Sequence, residues 1–157
     1  IASAFSNFAQ MPAQKSDTLD VIKIVGLALD IFNEDYIIFP SEKEEIIAKF
    51  DRTQLIRVVT NLVKNGIQAI PEGRIPKIIV DVYTENTNVV ITVADNGVGI
   101  SEENTKKVFE PKFTTKTSGM GLGLAMVKNI VETYKGNITF TSKEEKGTIF
   151  KVRFPKE

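Results

Sequence analysis

Between residues 19 and 154 the apolar residues switch repeatedly from helical to strand spacing, but never in the regular alternation of a parallel α/β fold. This order limits the chain to a sheet built from neighbouring strands, with its apolar face covered by the few helices that remain. Residues 19–32 have helical period through Leu19, Ile22, Val25 or Gly26, Leu29 and Phe32. Residues 36–39 and 46–50 are short, β-branched and aromatic, and read as strands on either side of polar Ser41-Glu42-Lys43-Glu44-Glu45. Asp51 opens the strongest helix and, with Gln54 three residues on, resembles a capping box. Leu55, Val59, Leu62, Val63, Gly66 and Ile70 form the apolar face of that helix, and Pro71 stops it. Residues 77–84 and 89–94 alternate as paired strands around Glu85-Asn86-Thr87-Asn88. Residues 101–109 read as a short helix and 121–135 as a longer one, with Gly136 where a left-handed C-cap belongs. Residues 137–141 and 148–154 read as a closing strand pair. The expected fold is α+β: a two-layer sandwich with helices on one face of a mixed, mostly antiparallel sheet.

The chain has no histidine and no cysteine. That excludes a Cys/His zinc site, a Ser-His-Asp triad, a thiol nucleophile and an imidazole acid or base. Twenty basic and 20 acidic side chains cancel. The basic excess of a sequence-independent nucleic-acid binder is absent, so no nucleic-acid partner is expected. At 157 residues the length suits one domain with one core. No apolar run approaches the roughly 18 residues that span a bilayer, and no signal-peptide pattern is present. The fragment is therefore expected to be soluble, with no direct membrane contact. Residues 1–11 read as the end of a helix, with Ile1, Phe5 and Phe8 on one face; Pro12 stops it, and a short linker follows. Because the first residue is Ile1 rather than Met, a piece of a longer protein is expected.

Without imidazole or thiol, chemistry must come from carboxylates, amides, lysines and glycine-rich backbone. Three segments offer it. Asn61, Asn65 and Gln68 fall at i, i+4 and i+7 on the strongest helix, on a side expected to lie roughly opposite the apolar stripe. They read either as a solvated face or as amide ligands, and an amide oxygen is a neutral hard donor suited to Mg²⁺. Asp95-Asn96-Gly97-Val98-Gly99-Ile100 follows an apolar strand. It reads either as a surface turn or as a carboxylate set to accept from an exocyclic amine, beside two glycines that admit a ligand to the backbone. Gly119-Met120-Gly121-Leu122-Gly123-Leu124 runs into a helix and would offer free N–H groups to an anion. It matches neither the Walker loop nor the Rossmann fingerprint.

Taken in order, these segments are far more specific than any one alone. Asn-x-x-x-Asn on a helix, Asp-x-Gly-x-Gly after a strand and Gly-x-Gly-x-Gly before a helix resemble the N, G1 and G2 boxes of the GHKL ATPase/kinase superfamily. Phe109-Glu110-Pro111-Lys112-Phe113-Thr114-Thr115-Lys116 resembles the F box of sensor histidine kinases, and Gly147-Thr148-Ile149-Phe150 the closing strand. The resemblance covers about residues 19–156 and implies the Bergerat fold with ATP and Mg²⁺ as cofactors. It implies that Asn65 ligates the Mg²⁺ bridging the phosphates, that Asp95 holds the adenine amino group and that Gly99 gives the base room. Gly119, Gly121 and Gly123 would end a lid over the phosphates, and Thr148 would support the adenine end. Lys116 reads as a phosphate contact or as a solvated lid lysine. Asn61, Gly97, Ile100, Thr115, Leu122 and Leu124 complete the expected nucleotide-binding set, with Asn61 and Asn65 as the catalytic pair. Phe109 and Phe113 would anchor the lid by packing, and Lys112 departs from the aromatic or apolar residue usual there.

Position 61 bears on the branch. Hydrolytic relatives such as gyrase, Hsp90 and MutL carry a water-activating Glu four residues before the Mg²⁺ asparagine. The amide of Asn61 cannot act as a general base, which fits transfer to a protein nucleophile. Phe5-Ser6-Asn7-Phe8-Ala9-Gln10-Met11-Pro12 resembles the end of the dimerisation helix in nitrogen-regulation-type sensor kinases. The implied division is a helix end and linker over 1–15 and the catalytic ATP-binding domain over 16–157. The implied partners are a histidine-bearing dimerisation domain of the same, homodimeric parent and the receiver domain of a response regulator. The implied location is the cytoplasm, with a parent that could be membrane-anchored. Two alternatives remain open: a serine kinase of the anti-sigma-factor kind, and a nucleotide-sensing module without transfer activity.

Overall fold

Five strands form the main sheet in the order β2-β4-β5-β7-β6. The computed structural model describes residues 16–110 and 123–157. The strands are β2 (Ile37–Ile38), β4 (Ile78–Glu85), β5 (Asn88–Asp95), β6 (Asn137–Lys143) and β7 (Gly147–Pro155). β2 runs parallel to β4, and every other pairing in the sheet is antiparallel. Alternation along the strands decides which face is covered. Val80, Val82, Ile91, Val93, Phe150 and Val152 are buried, and the register sets Val80 opposite Val93 opposite Phe150, and Val82 opposite Ile91 opposite Val152. The alternate residues Asp81, Thr92 and Lys151 form a polar row on the other face.

Helices α1 (Val21–Asp30), α2 (Arg52–Gln68) and α3 (Gly123–Thr133) supply the second layer. α2 buries Leu55, Val58, Val59, Leu62, Val63 and Gly66, and α3 buries Ala125, Val127, Ile130 and Val131. Each fully buried Val, Leu or Ile contributes roughly 1.5–3 kcal/mol of apolar transfer. The architecture is therefore the expected α+β sandwich with helices on one face of a mixed sheet.

Four local readings need correction. The first helix does not begin at Leu19: Asp17–Asp20 is a strand, β1, paired antiparallel with β3 (Ile47–Phe50) in a separate two-stranded sheet. Asp20 caps α1, its Oδ1 accepting from the N–H groups of Ile22 and Ile46 at 3.1 Å each. One carboxylate thus starts the helix and fixes the incoming strand. Second, the capping box at α2 is only half made. Asp51 Oδ1 accepts from Gln54 N–H at 3.0 Å, but Asp51 N–H donates to the Tyr134 hydroxyl oxygen at 2.9 Å instead of to Gln54.

Third, Gly136 is not the left-handed residue after α3. Lys135 takes that conformation, with φ at 64°. Gly136 is needed for space: a Cβ there would lie 2.1 Å from the Arg153 carbonyl oxygen. Fourth, Asn61 and Asn65 do not lie opposite the apolar stripe of α2. Both are half-buried at its flank, and only Gln68 is exposed. The reading of residues 1–15 lies outside the described residues.

Candidate nucleotide site

β5 ends at Asp95, beside the C-terminal half of α2, and the 95–99 turn closes the gap between them. Asp95 Oδ1 accepts from Gly97 N–H at 2.8 Å, which folds the turn back on its own carboxylate. Val98 N–H donates to the Ala69 carbonyl at the end of α2 (3.0 Å), and Glu145 N–H donates to the Val98 carbonyl (2.7 Å). The turn is therefore stitched to the helix on one side and to the β6–β7 connection on the other.

Glycine is required at two of its positions for steric reasons. Gly97 would bring a Cβ within 2.6 Å of the Ala69 oxygen. Gly99, at φ +76°, would bring one within 2.4 Å of the Lys143 oxygen. Gly66 plays the matching part on α2, where a Cβ would lie 3.3 Å from Asp95 Cβ. That close approach lets the carboxylate sit directly against the helix that carries Asn65.

A cavity of about 270 Å³ opens here, lined by Asn65, Gln68, Ala69, Pro71, Asp95, Val98, Gly99, Ile100, Val108, Leu124, Thr148 and Phe150. Its size, near the roughly 300 Å³ lower end of ligand pockets, suits a single heterocyclic base. Apolar walls with a few polar groups are the usual character of such sites. A larger groove of about 970 Å³ runs along α1 and β2 but includes none of these residues. Chemistry, not volume, selects the smaller space.

Thr148 is buried on β7 and shares a 2.8 Å contact with the Ser142 hydroxyl. Ser142 Oγ donates to the Gly147 carbonyl (3.2 Å) and accepts from Ile100 N–H (2.7 Å). Either hydroxyl can donate in their contact, and in both cases Thr148 keeps a lone pair that can accept. Asp95 and Thr148 thus present acceptors to one small space. Phe109 stands edge-on to Phe150 and Phe140, with ring centroids 6.3 and 5.8 Å apart, and the Lys128 ammonium lies 5.7 Å from its ring centre. Phe109 thus packs against the sheet, while the lid it was expected to anchor lies outside the described residues.

Among the expected nucleotide-binding residues, Asn65, Asp95, Gly99, Ile100, Leu124 and Thr148 line the cavity, whereas Asn61, Gly97 and Gly123 do not. Gly97 serves the turn. Asn61 Nδ2 donates to the Arg57 carbonyl one turn back (2.8 Å), and a Cβ on Gly123 would lie 3.1 Å from Asn61 Oδ1. Asn61 therefore faces the start of α3. Thr115, Lys116, Gly119, Gly121 and Leu122, with Lys112 and Phe113, lie outside the described residues.

Sequence reasoning passed over Arg74, Asn96 and Ser142, which brace the site. Ser142 lies one residue beyond the strand read over 137–141 and offered no signal of its own. Arg74 sits in an irregular loop and offered none. For a metal, no cluster of three or more His, Cys, Asp or Glu able to hold an ion occurs among the described residues. Asn65 offers a neutral oxygen donor at the cavity wall. That fits an ion such as Mg²⁺, which takes few protein ligands and completes its shell with water and substrate phosphates.

The family described as histidine kinase-, DNA gyrase B-, and HSP90-like ATPase matches residues 50–157. Sporulation kinase A of Bacillus subtilis (strain 168) is 43% identical over 117 residues, covering 74% of this chain and 19% of the relative. A putative NtrY-like sensor histidine kinase of Rickettsia conorii (strain ATCC VR-613 / Malish 7) is 34% identical over 158 residues, covering 98% of this chain and 26% of the relative. The chain thus spans about a fifth to a quarter of the length of these curated relatives. The nucleotide-free catalytic domain of histidine kinase ThkA superposes with a TM-score of 0.76 at 32% identity, over 91% of this chain and 97% of that one. ThkA in complex with the response regulator protein TrrA gives 0.82 at 26% identity, over 99% of this chain and 46% of that one. This chain belongs to the histidine kinase-, DNA gyrase B-, and HSP90-like ATPase family, as a catalytic ATP-binding domain of the sensor histidine kinase type.

Proposed function

We propose that this chain is the ATP-holding half of a two-part kinase. It binds ATP with Mg²⁺ and presents the γ-phosphoryl group to a histidine on a separate dimerisation domain of the same parent, from which phosphate passes to the receiver domain of a response regulator. The observation that carries the reading is the meeting of Asp95, Thr148 and Asn65 on one small cavity. A carboxylate is an acceptor-only group, and the Thr148 lone pairs add a second acceptor. Both complement an adenine amino group, which offers two donors. Asn65, on the α2 side of the same space, would hold the Mg²⁺ that neutralises phosphate charge. Gly119, Gly121, Gly123 and Lys116 would cover the phosphates.

Asn61 supports transfer over hydrolysis. Its amide cannot take a proton from water, and its Nδ2 is already donated to the Arg57 carbonyl. Phosphoryl transfer draws mainly on positioning and charge neutralisation, so a domain without a general base can still serve if another domain brings the nucleophile. The likeness to ThkA, solved with a response regulator protein, supports the kind of downstream partner. No helix among the described residues is long and apolar enough to cross a membrane. A homodimeric parent with this domain in the cytoplasm, whether or not that parent is membrane-anchored, completes the reading.

The test mixes labelled ATP, this chain and a histidine-bearing dimerisation domain. Acid-labile phosphate on the second domain, with none on this chain alone, is the expected result. Acid-stable phosphate on a serine of a partner would replace the reading with a serine kinase. ATP binding without transfer to any such domain would replace it with a nucleotide-sensing module.

A further inference from the structure

Arg74 lies outside the cavity lining, yet its guanidinium makes two hydrogen bonds to the 95–99 turn. Nη1 donates to the carbonyls of Asn96 and Gly97, both at 2.8 Å, and Nη2 donates to Glu145 Oε1 at 3.1 Å. The turn answers in kind. Asn96 Oδ1 accepts from Lys77 N–H (2.9 Å) and Asn96 Nδ2 donates to the Ile75 carbonyl (2.8 Å), so the turn's own side chain holds the loop that carries Arg74. Glu145 joins both: its carboxylate takes the guanidinium, and its N–H holds the Val98 carbonyl. Three successive carbonyls, those of Asn96, Gly97 and Val98, are thereby occupied by donors from two separate loops.

We propose that Arg74 is a positioning residue for adenine recognition, acting through the turn on the Asp95 carboxylate without touching the ligand. The inference rests on the adenine reading given above. The ion pair itself contributes little, since the Glu145 side chain is 73% exposed. The forked donation to two adjacent carbonyls is what matters, because an ammonium lacks the fixed fork of a guanidinium. Without it the turn samples other conformations, and apparent affinity falls in proportion to the population that remains competent.

Arg74→Ala should weaken ATP and ADP binding by the same factor, about three- to tenfold, with the Mg²⁺ dependence unchanged. It should also shrink the preference for ATP over inosine triphosphate, which lacks the amino group. Because Arg74 acts through Asp95, adding Arg74→Ala to Asp95→Asn should cost no further affinity. A merely structural loss would instead multiply with that of Asp95→Asn. Arg74→Lys should recover part of the affinity, and it keeps the test usable if the alanine variant does not fold. Native ATP affinity in either Arg74 variant, or multiplicative losses in the double variant, would overturn the proposal while leaving the adenine reading intact. A native chain without preference for ATP over inosine triphosphate would overturn both.

Discussion

The Asp51 amide donates to the Tyr134 hydroxyl oxygen at 2.9 Å across 83 residues of sequence, tying the first residue of the α2 cap to the residue just after α3. The Tyr134 ring also stacks on Phe50, with centroids 3.9 Å apart and planes 17° from parallel. The two helices that flank the site are therefore locked together at their far ends, away from the cavity. Tyr134→Phe keeps the stack but removes the hydroxyl that accepts from the Asp51 N–H. A loss of about 0.5–1.5 kcal/mol, the net worth of one hydrogen bond, is expected, measured as a lower urea midpoint.

The same hydroxyl has a pH consequence. Burial, with added repulsion from the Asp51 and Asp17 carboxylates, raises its pKa above the ordinary 10.0, partly offset by the Asp51 N–H bond. A raised acid pKa means the folded state keeps its proton when the unfolded state loses it. The associated stability is thus fully present below about pH 10 and is lost as pH rises through the folded value. Tyr36 is raised as well, by burial and by Glu34. Urea midpoints should therefore fall on the alkaline side of about pH 10, and less steeply in Tyr134→Phe. Equal alkaline slopes in the two proteins would remove Tyr134 as a source.

Asp95→Asn separates folding from recognition. The amide keeps an oxygen for the Gly97 N–H but puts donors where the adenine amino group also donates. Calorimetry should show ATP binding weakened by about 1.5–3 kcal/mol, the range for a charged hydrogen bond, with the thermal midpoint nearly unchanged. Equal affinity would remove Asp95 from the site.

Asn65→Ala should act at the other end of the ligand. The expected result is weaker ATP binding in the presence of Mg²⁺ and a flatter dependence on metal concentration. Affinity measured in chelator should change little. An unaltered Mg²⁺ dependence would rule out the Asn65 oxygen as a ligand.

Gly136 and Lys135 should differ sharply in their tolerance of substitution. Gly136→Ala drives a Cβ against the Arg153 carbonyl, with Phe154 Cβ and Val131 Cγ1 only 3.0 Å away, and should cost roughly 1–3 kcal/mol or more. Lys135→Gly removes a left-handed non-glycine residue but adds freedom to the unfolded chain. It should fall within about 1 kcal/mol of the native stability. Thermal unfolding of the two variants side by side would check both.

Much of this was legible along the chain because it is local. Hydrophobic period located the helices and the main sheet strands, and Asp51 marked the start of α2. The Asn-x-x-x-Asn, Asp-x-Gly-x-Gly and Gly-x-Gly-x-Gly segments, in that order, pointed to the family. What period could not show was partnership. The apolar stretch from Leu19 reads as helix until β3 arrives to pair with Asp17–Asp20, and a glycine after a helix reads as its cap until β7 occupies the space.

The sequence by itself limited the candidate chemistry to amides, carboxylates, lysines and glycine-rich backbone, with no imidazole and no thiol. Only the tertiary structure decided how the cavity is held open. Arg74, Asn96, Ser142 and Tyr134 have no periodicity of their own, and each acts by reaching a backbone group that is remote in sequence or brought close only by the fold. A hydrogen bond between such groups leaves no trace in spacing along the chain, since its geometry exists only once the sheet and helices have packed.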